Sequence, residues 1–403
     1  MNQRKKFARQ IALIIFLSGC ILSKSGAQSS AGYGIKLQAI RGSVYPHDKQ
    51  IKKIIDQPVS GAELSVEFQT LGKKPWQQYN NFPIVGIGAV WLNLGNPTLL
   101  GDAFALYPYL NFRLLETKLF KLRVKAGMGA SYLTKTYYNT NTDNYQTLTG
   151  NTAIGSHLNI YFAGGANMEA PITSGVSLTA DYTWNHMSNG SVVTPNTGLN
   201  LLNAFVGIKY TPNYRNAANP QKQEYPNINR NIRWECIASG GVRQLYYKDK
   251  MNFPIGSLSV AAYKPLTNFY QMGLGLDGFY DGVFDGHDSK YTRTYLQTDE
   301  LKNKIRAGIS WRHELLLGKI TAGFHFGLYI YDPIKNLEPY SEANIKPLNK
   351  PLIYPYDIDF EDGWLYTRAV FKYAVTDHLL LSVGLKTHLQ KAEFIEWGVG
   401  YKL

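Results

Sequence analysis

Alternation with a period of two, held over unusually long runs, is the feature that most constrains this chain. From Phe120 onward, Phe120, Leu122, Val124, Ala126, Met128, Ala130 and Tyr132 fall on one side. Lys121, Arg123, Lys125, Gly127, Gly129 and Ser131 fall on the other. Glu63–Gln69 repeats the pattern, with Leu64, Val66 and Phe68 opposed to Glu63, Ser65, Glu67 and Gln69. Successive side chains of a strand point to opposite faces, so each run is a strand with one apolar and one polar face. Runs of about 12–14 residues exceed the five or six usual in soluble sandwiches and meet the roughly 9–11 that a tilted membrane-crossing strand needs.

Composition removes the competing classes. Aromatic residues make up 13% of the 403, too many for a disordered chain, and two cysteines are too few for a disulfide scaffold. The longest apolar run, Ile11–Leu22, is about 12 residues, short of the roughly 18–20 of a helical span. Aromatics gather near strand ends, as interfacial girdles require. At the C-terminus Ile395, Trp397, Val399, Tyr401 and Leu403 alternate with Glu396, Gly398, Gly400 and Lys402. This resembles the closing strand of an outer-membrane barrel, with Leu403 where an aromatic is more usual.

The expected fold is therefore all-β, an antiparallel transmembrane β-barrel of the outer-membrane type with about sixteen strands. Strands are predicted at 31–41, 61–71, 82–94, 101–116, 119–133, 154–168, 174–188 and 199–211, then at 230–248, 253–266, 268–284, 300–316, 318–331, 362–375, 378–388 and 392–403. Short connections at 116–118 and 170–174 read as periplasmic, and long polar ones at 135–152 and 332–361 as extracellular. Tyr210–Asn231 is a polar bridge: a linker, an extra loop of one large barrel, or a seam between two small ones. One barrel is the favoured form, with residues 212–403 completing the sheet begun by 28–211; an eight-stranded barrel plus a second β unit is the alternative.

The N-terminus sets the expected compartment. Arg4, Lys5, Lys6 and Arg9 precede the apolar run, and Ser25-Gly26-Ala27 offers a small-residue cleavage site, so residues 1–27 read as an export signal peptide. Leu17-Ser-Gly-Cys20 also resembles a lipoprotein box, in which Cys20 would carry lipid. Formal charge is +13 for the whole chain; the five Lys/Arg of the first 27 residues leave about +8. That excess suits a phosphate-rich partner such as lipopolysaccharide, or a plain solvated surface. Cys236 remains, and no internal disulfide is expected.

One strand carries chemistry. In Ser174–Ser188, Val176, Leu178, Ala180, Tyr182, Trp184, His186 and Ser188 share a face, so the lipid-directed stripe ends in an imidazole and a hydroxyl. Two residues apart on a strand they stand about 6.5–7 Å apart at Cα and can meet as a nucleophile–base pair. The alternative is that they only mark the headgroup interface.

The residues that follow, Asn189, Pro195-Asn196-Thr-Gly198 and Gly207-Ile-Lys-Tyr210, extend the pattern to H-x-S-N, P-N-x-G and a Gly-x-x-Tyr strand end. This resembles the lipid A 3-O-deacylase family, the PagL-like acyloxyacyl hydrolases of Gram-negative outer membranes. Lys74-Pro-Trp76, Gly101–Leu106 and Ala153–Asn159 also look like it, so the resemblance covers about residues 31–211. It implies a barrel in the cell outer membrane that hydrolyses the ester-linked acyl chain at position 3 of lipid A. His186 would be the base, Ser188 the nucleophile, and Asn189 an oxyanion donor. The family's Glu that orients the histidine falls at Asn200, a departure that puts rate in doubt more than reaction type. Asp181 faces the wrong way to replace it. Trp184 and Tyr182 would cradle the acyl chain, and loop Lys or Arg would meet phosphate. The expected partners are lipid A or lipopolysaccharide and outer-membrane lipid, with no nucleic acid, cofactor or metal. A catalytically inactive barrel, acting as a pore or binding protein, is the competing function, because about sixteen strands could enclose a channel.

Other motifs are set aside. Gly273, Gly275 and Gly278 match a dinucleotide fingerprint but sit in an alternating strand with no helix after it. Asp357–Gly363 has a calcium-loop flavour with its glycine one place late. His157 reads as structural, and Cys236 as a small apolar residue.

Overall fold

The computed structural model describes residues 32–47, 49–140, 150–212, 220–244, 252–284, 301–333, 335, 350–356, 362–389 and 391–403. Residues 1–27 with Cys20, and Asp357–Glu361, lie outside the described residues. Among the described residues no helix is long and apolar enough to cross a membrane.

Among the described residues sixteen antiparallel strands form, close to the expected positions. They are β1 (Tyr33–Val44), β2 (Val59–Gln69), β3 (Ile84–Asn93), β4 (Asp102–Glu116), β5 (Lys121–Leu133), β6 (Leu158–Pro171), β7 (Val176–Ser188) and β8 (Leu199–Tyr210), then β9 (Arg233–Arg243), β10 (Phe253–Pro265), β11 (Tyr270–Asp281), β12 (Ile305–Leu317), β13 (Ile320–Tyr331), β14 (Leu365–Ala374), β15 (Leu379–His388) and β16 (Lys391–Lys402). The period-two faces hold: Leu37 and Leu64 are more than half exposed on the outer wall, while their neighbours Lys36 and Glu63 are fully buried inside. The glycine triplet Gly273, Gly275 and Gly278 lies within β11, and Cys236 lies on β9 as a free thiol.

The favoured form of closure is corrected. The chain makes two closed eight-stranded barrels, not one of sixteen. β8 returns to β1, pairing Tyr210 with Ile35 and Leu201 with Val44, and β16 returns to β9, pairing Trp397 with Gly240. The interior charges give a physical reason. Inside the first barrel Lys36, Arg123, Lys125 and Lys209 meet Glu63, Glu67, Glu169 and Asp181, four cations to four anions. Inside the second, Arg243, Arg306, Arg312, Arg368, Lys372 and Lys386 meet Glu235, Asp277, Asp281, Glu314, Glu393 and Glu396. Every one of these pairs joins residues of the same half. A buried charge is costly unless paired, and each half neutralises its own only by closing on itself. Eight strands leave an interior that side chains just fill. The wide channel that sixteen strands could enclose, on which the pore reading rested, does not form.

The barrels meet at both ends. At the short-turn end the chain from 220 to 232 crosses between them: Tyr79 Oη donates to Pro226 O at 2.6 Å, and Ile228 N donates to Asn268 Oδ1 at 3.0 Å. The described part of the polar bridge, from 220 on, thus lies at a seam between two small barrels. At the long-loop end the β7–β8 loop leans on the second barrel. Gln244 N donates to Ser191 O at 2.8 Å, Thr194 N donates to Gln244 Oε1 at 2.9 Å, and Ser191 Oγ donates to Ala392 O at 3.0 Å.

Candidate active site

β7 builds the site. Its outward stripe runs from Leu178 through Tyr182 and Trp184, both well exposed, to a partly buried His186 and a buried Ser188 at the long-loop end. Asp181, as expected, points inward, where it pairs with Lys36 at 3.3 Å. Burial deepens along the stripe because the loops at its top close over it.

His186 is fixed on three sides. Nδ1 lies 2.7 Å from Asn200 Oδ1, across the β7–β8 pairing that sets His186 opposite Asn200. Trp184 stacks on the imidazole, with centroids 5.6 Å apart and planes 16° apart, and Phe162 lies beside it at 6.4 Å. Gly198, at φ +81°, carries the returning loop so close that a Cβ there would sit 2.7 Å from His186 Cε1. That is the physical content of the glycine in the Pro-Asn-x-Gly segment: only glycine takes this backbone conformation cheaply and leaves room for the ring.

Ser188 is held differently from the expectation. Asn196 Nδ2 donates to its Oγ at 2.8 Å, and the Gly190 backbone N–H donates to it at 3.2 Å. No hydrogen bond joins Ser188 to His186 among the described residues; the two share the stripe but not a proton. Asn196 is itself oriented, because its Oδ1 accepts from Asn189 N at 3.1 Å. A main-chain N–H can only donate, so the amide nitrogen of Asn196 must face the hydroxyl.

The Asn189 side chain, expected as an oxyanion donor, is engaged by the loop itself. Its Nδ2 donates to Ser156 Oγ at 2.7 Å and to Val193 O at 2.9 Å, which occupies both amide hydrogens. Asn189 pins the loop, while Asn196 and Gly190 present donors to the hydroxyl. Sequence reading missed this because Asn196 was legible only as part of a motif, without a partner. The contact to Ser156 ties the segment before β6 to the same loop. His157 is structural: Nδ1 lies 2.6 Å from Leu133 O, and its ring stacks on Tyr132. It precedes β6, which begins at Leu158 rather than at 154.

Beyond Asn200 lies a residue that the motif gave no reason to single out. Asn200 Nδ2 is 2.9 Å from His47 Nδ1, and His47 Nε2 is 2.8 Å from Thr197 O. Elsewhere, Asp362, His388 and Glu393 group their ligand atoms within 4.8 Å inside the second barrel. Glu393 already pairs with Arg306 and Lys386 there, so the group is an ion-pair network short of free ligands.

A closed, side-chain-filled pair of barrels with apolar outer walls defines the class: a β-barrel protein of the outer-membrane type. The sequence then assigns the family. A family model described as lipid A 3-O-deacylase (PagL) matches residues 60–209, and one described as acyloxyacyl hydrolase, C-terminal domain, matches 232–343 and 353–403. Together they span most of the chain, which belongs to the PagL-type acyloxyacyl hydrolase family. Solved structures similar to this chain include Neisserial surface protein A, at 9% identity, TM-score 0.29, and coverage of 46% of this chain and 99% of that one. The outer membrane enzyme PagL is 18% identical, with TM-score 0.28 and coverage of 44% and 98%. Ail of Yersinia pestis is 11% identical, with TM-score 0.26 and coverage of 45% and 99%. No curated protein matches the sequence.

Proposed function

We propose that this chain is an outer-membrane serine esterase that removes the ester-linked acyl chain at the 3-O position of lipid A. The observation that carries the reading is the outward stripe ending in His186 and Ser188, with His186 Nδ1 bonded to Asn200 Oδ1 at 2.7 Å. A site on the outer wall takes its ester from the surrounding leaflet, and the exposed Trp184 and Tyr182 line the approach of the acyl chain. Residues 1–27 serve as the export signal, 28–211 hold the hydrolase barrel, and 212–403 form the barrel that steadies its loop.

In this reading Ser188 turns from Asn196 toward His186 Nε2, gives it the hydroxyl proton, and bonds to the acyl carbonyl carbon. The carbonyl oxygen gains the electron pair and is met by Asn196 Nδ2 and the Gly190 N–H, the donors that now converge on Oγ. The C–O bond to the sugar breaks, and the proton on Nε2 passes to the departing oxygen. Water then repeats the sequence on the acyl-enzyme, with His186 as base again. Asn200 is neutral and stabilises imidazolium less than a carboxylate would. Trp184, stacked on the ring, offsets part of this, about 0.5–2 kcal/mol for a cation over an indole.

One observation favours a second reading, an inactive lipid-binding barrel: the Ser188 hydroxyl is engaged by Asn196 rather than by His186. Mass spectrometry of lipid A from outer membranes separates the two. Expression of the chain should remove one 3-linked acyl group, and Ser188→Ala, checked for folding by heat-modifiable gel migration, should leave it in place. An unchanged lipid A profile with well-folded protein, across several acylation patterns, would leave the binding reading standing.

A further inference from the structure

We infer that His47, from the loop after β1, is a positioning residue that selects the catalytic tautomer of His186 by fixing the orientation of the Asn200 amide. The inference rests on the esterase reading for its consequence, but the geometry stands by itself. An amide offers an acceptor on one side and a donor on the other, and the two are told apart only through partners. In the chain His186–Asn200–His47–Thr197, the last partner is a main-chain carbonyl, which can only accept. His47 Nε2 must therefore carry the hydrogen. In neutral His47 this leaves Nδ1 as an acceptor, so the Asn200 group facing it must be the NH2. Oδ1 then faces His186, whose Nδ1 must carry the hydrogen. Nε2 of His186 is left bare, the only form able to take a proton from Ser188.

Each link is short, between 2.7 and 2.9 Å, and the direction is set at the Thr197 carbonyl, two residues away from the imidazole that uses it. Without His47, Asn200 could turn its amide over at little cost. Its NH2 would then face His186 Nδ1, the hydrogen would move to Nε2, and the base would be lost. A carboxylate at this position needs no such device, because both its oxygens accept. His47 thus answers the departure at Asn200. It lies outside residues 60–209, which the deacylase model matches, so the motif by itself could not reveal it.

The test uses the full-length chain with five variants: His47→Ala, His47→Gln, Asn200→Glu, the His47→Ala/Asn200→Glu double variant, and His186→Gln for assignment. Ring-nitrogen NMR of histidine-labelled protein in detergent micelles should show His186 hydrogenated at Nδ1 in the wild type. His47→Ala should mix the tautomers. His47→Gln should restore Nδ1–H, because an amide can accept from Asn200 and donate to Thr197. In deacylation of lipid A micelles, His47→Ala should lower kcat about tenfold with KM little changed, the scale of one orienting hydrogen bond. In the Asn200→Glu background the same change should cost less than about twofold. An unchanged His186 tautomer in His47→Ala overturns the inference. So does a rate loss that is equal in the wild-type and Asn200→Glu backgrounds, which would mark His47 as merely structural. A wild-type chain without deacylase activity would instead defeat the esterase reading, and the NMR measurement would still decide whether His47 sets the tautomer.

Discussion

Gly198→Ala separates the cost of a strained backbone from the cost of a displaced base. At φ +81° an alanine pays for a left-handed conformation, roughly 1–2 kcal/mol. Its Cβ would also stand 2.7 Å from His186 Cε1 and 3.4 Å from Nε2. Ordinary carbon contacts lie at about 3.5–4.0 Å, so the ring or the loop must give by roughly 1 Å. Asn200 and Trp184 hold the ring from the other sides, so the shift falls on the distance between Nε2 and the Ser188 hydroxyl. A misplacement of about 1 Å in a reacting pair costs on the order of 10²-fold in rate. The expected result is a modest fall in the urea midpoint with a roughly hundredfold fall in kcat on lipid A micelles. Gly278→Ala serves as the control: its nearest neighbour, Leu258 O, would lie 3.8 Å away, and both readouts should match the wild type. A folded Gly198→Ala protein within about threefold of wild-type kcat would refute the argument that this glycine places the base.

Three further outcomes are expected. Asn196→Ala should lower kcat by about 10²–10³ in the same assay, the cost of one oxyanion donor, and a larger loss in Asn189→Ala would return that role to Asn189. Gln244→Ala removes the second barrel's acceptor for Thr194 N and should loosen the 189–198 loop; about 1 kcal/mol of stability and a several-fold loss of kcat are expected, and unchanged kinetics would show that the second barrel does not support the site. Lys125→Met leaves Glu63 without a cation at the centre of the first barrel and Asp181 with Lys36 alone, so urea unfolding of the refolded protein should register a loss of about 3–5 kcal/mol.

Legibility differed sharply between fold and site. Strand positions could be read to within a few residues because the wall of a barrel imposes its two environments on every other side chain, as the exposed Leu37 beside the buried Lys36 shows. The helices Lys49–Ile54 and Pro75–Tyr79 escaped notice, since six and five residues are too few for a helical period to stand out. At the site, His186 opposite Asn200 followed from strand register. The contact of Asn196 with the Ser188 hydroxyl did not, because loop residues carry no periodicity that would reveal their partners.

By itself the sequence determined the number of strands, their faces, and the strand on which His186 and Ser188 end an outward stripe. These are local properties, set by alternation along a single segment. Only the tertiary structure decided that β8 closes on β1 rather than continuing to β9, that Asn196 rather than His186 holds the Ser188 hydroxyl, and that His47 reaches Asn200. The physical reason is the same in each case. Alternation states which way a side chain points, but a hydrogen bond or a barrel seam depends on which distant segment arrives there. For the barrel seam, each half pairs its own buried charges; for the site, the β7–β8 loop and the loop after β1 bring Asn196 and His47 to their partners.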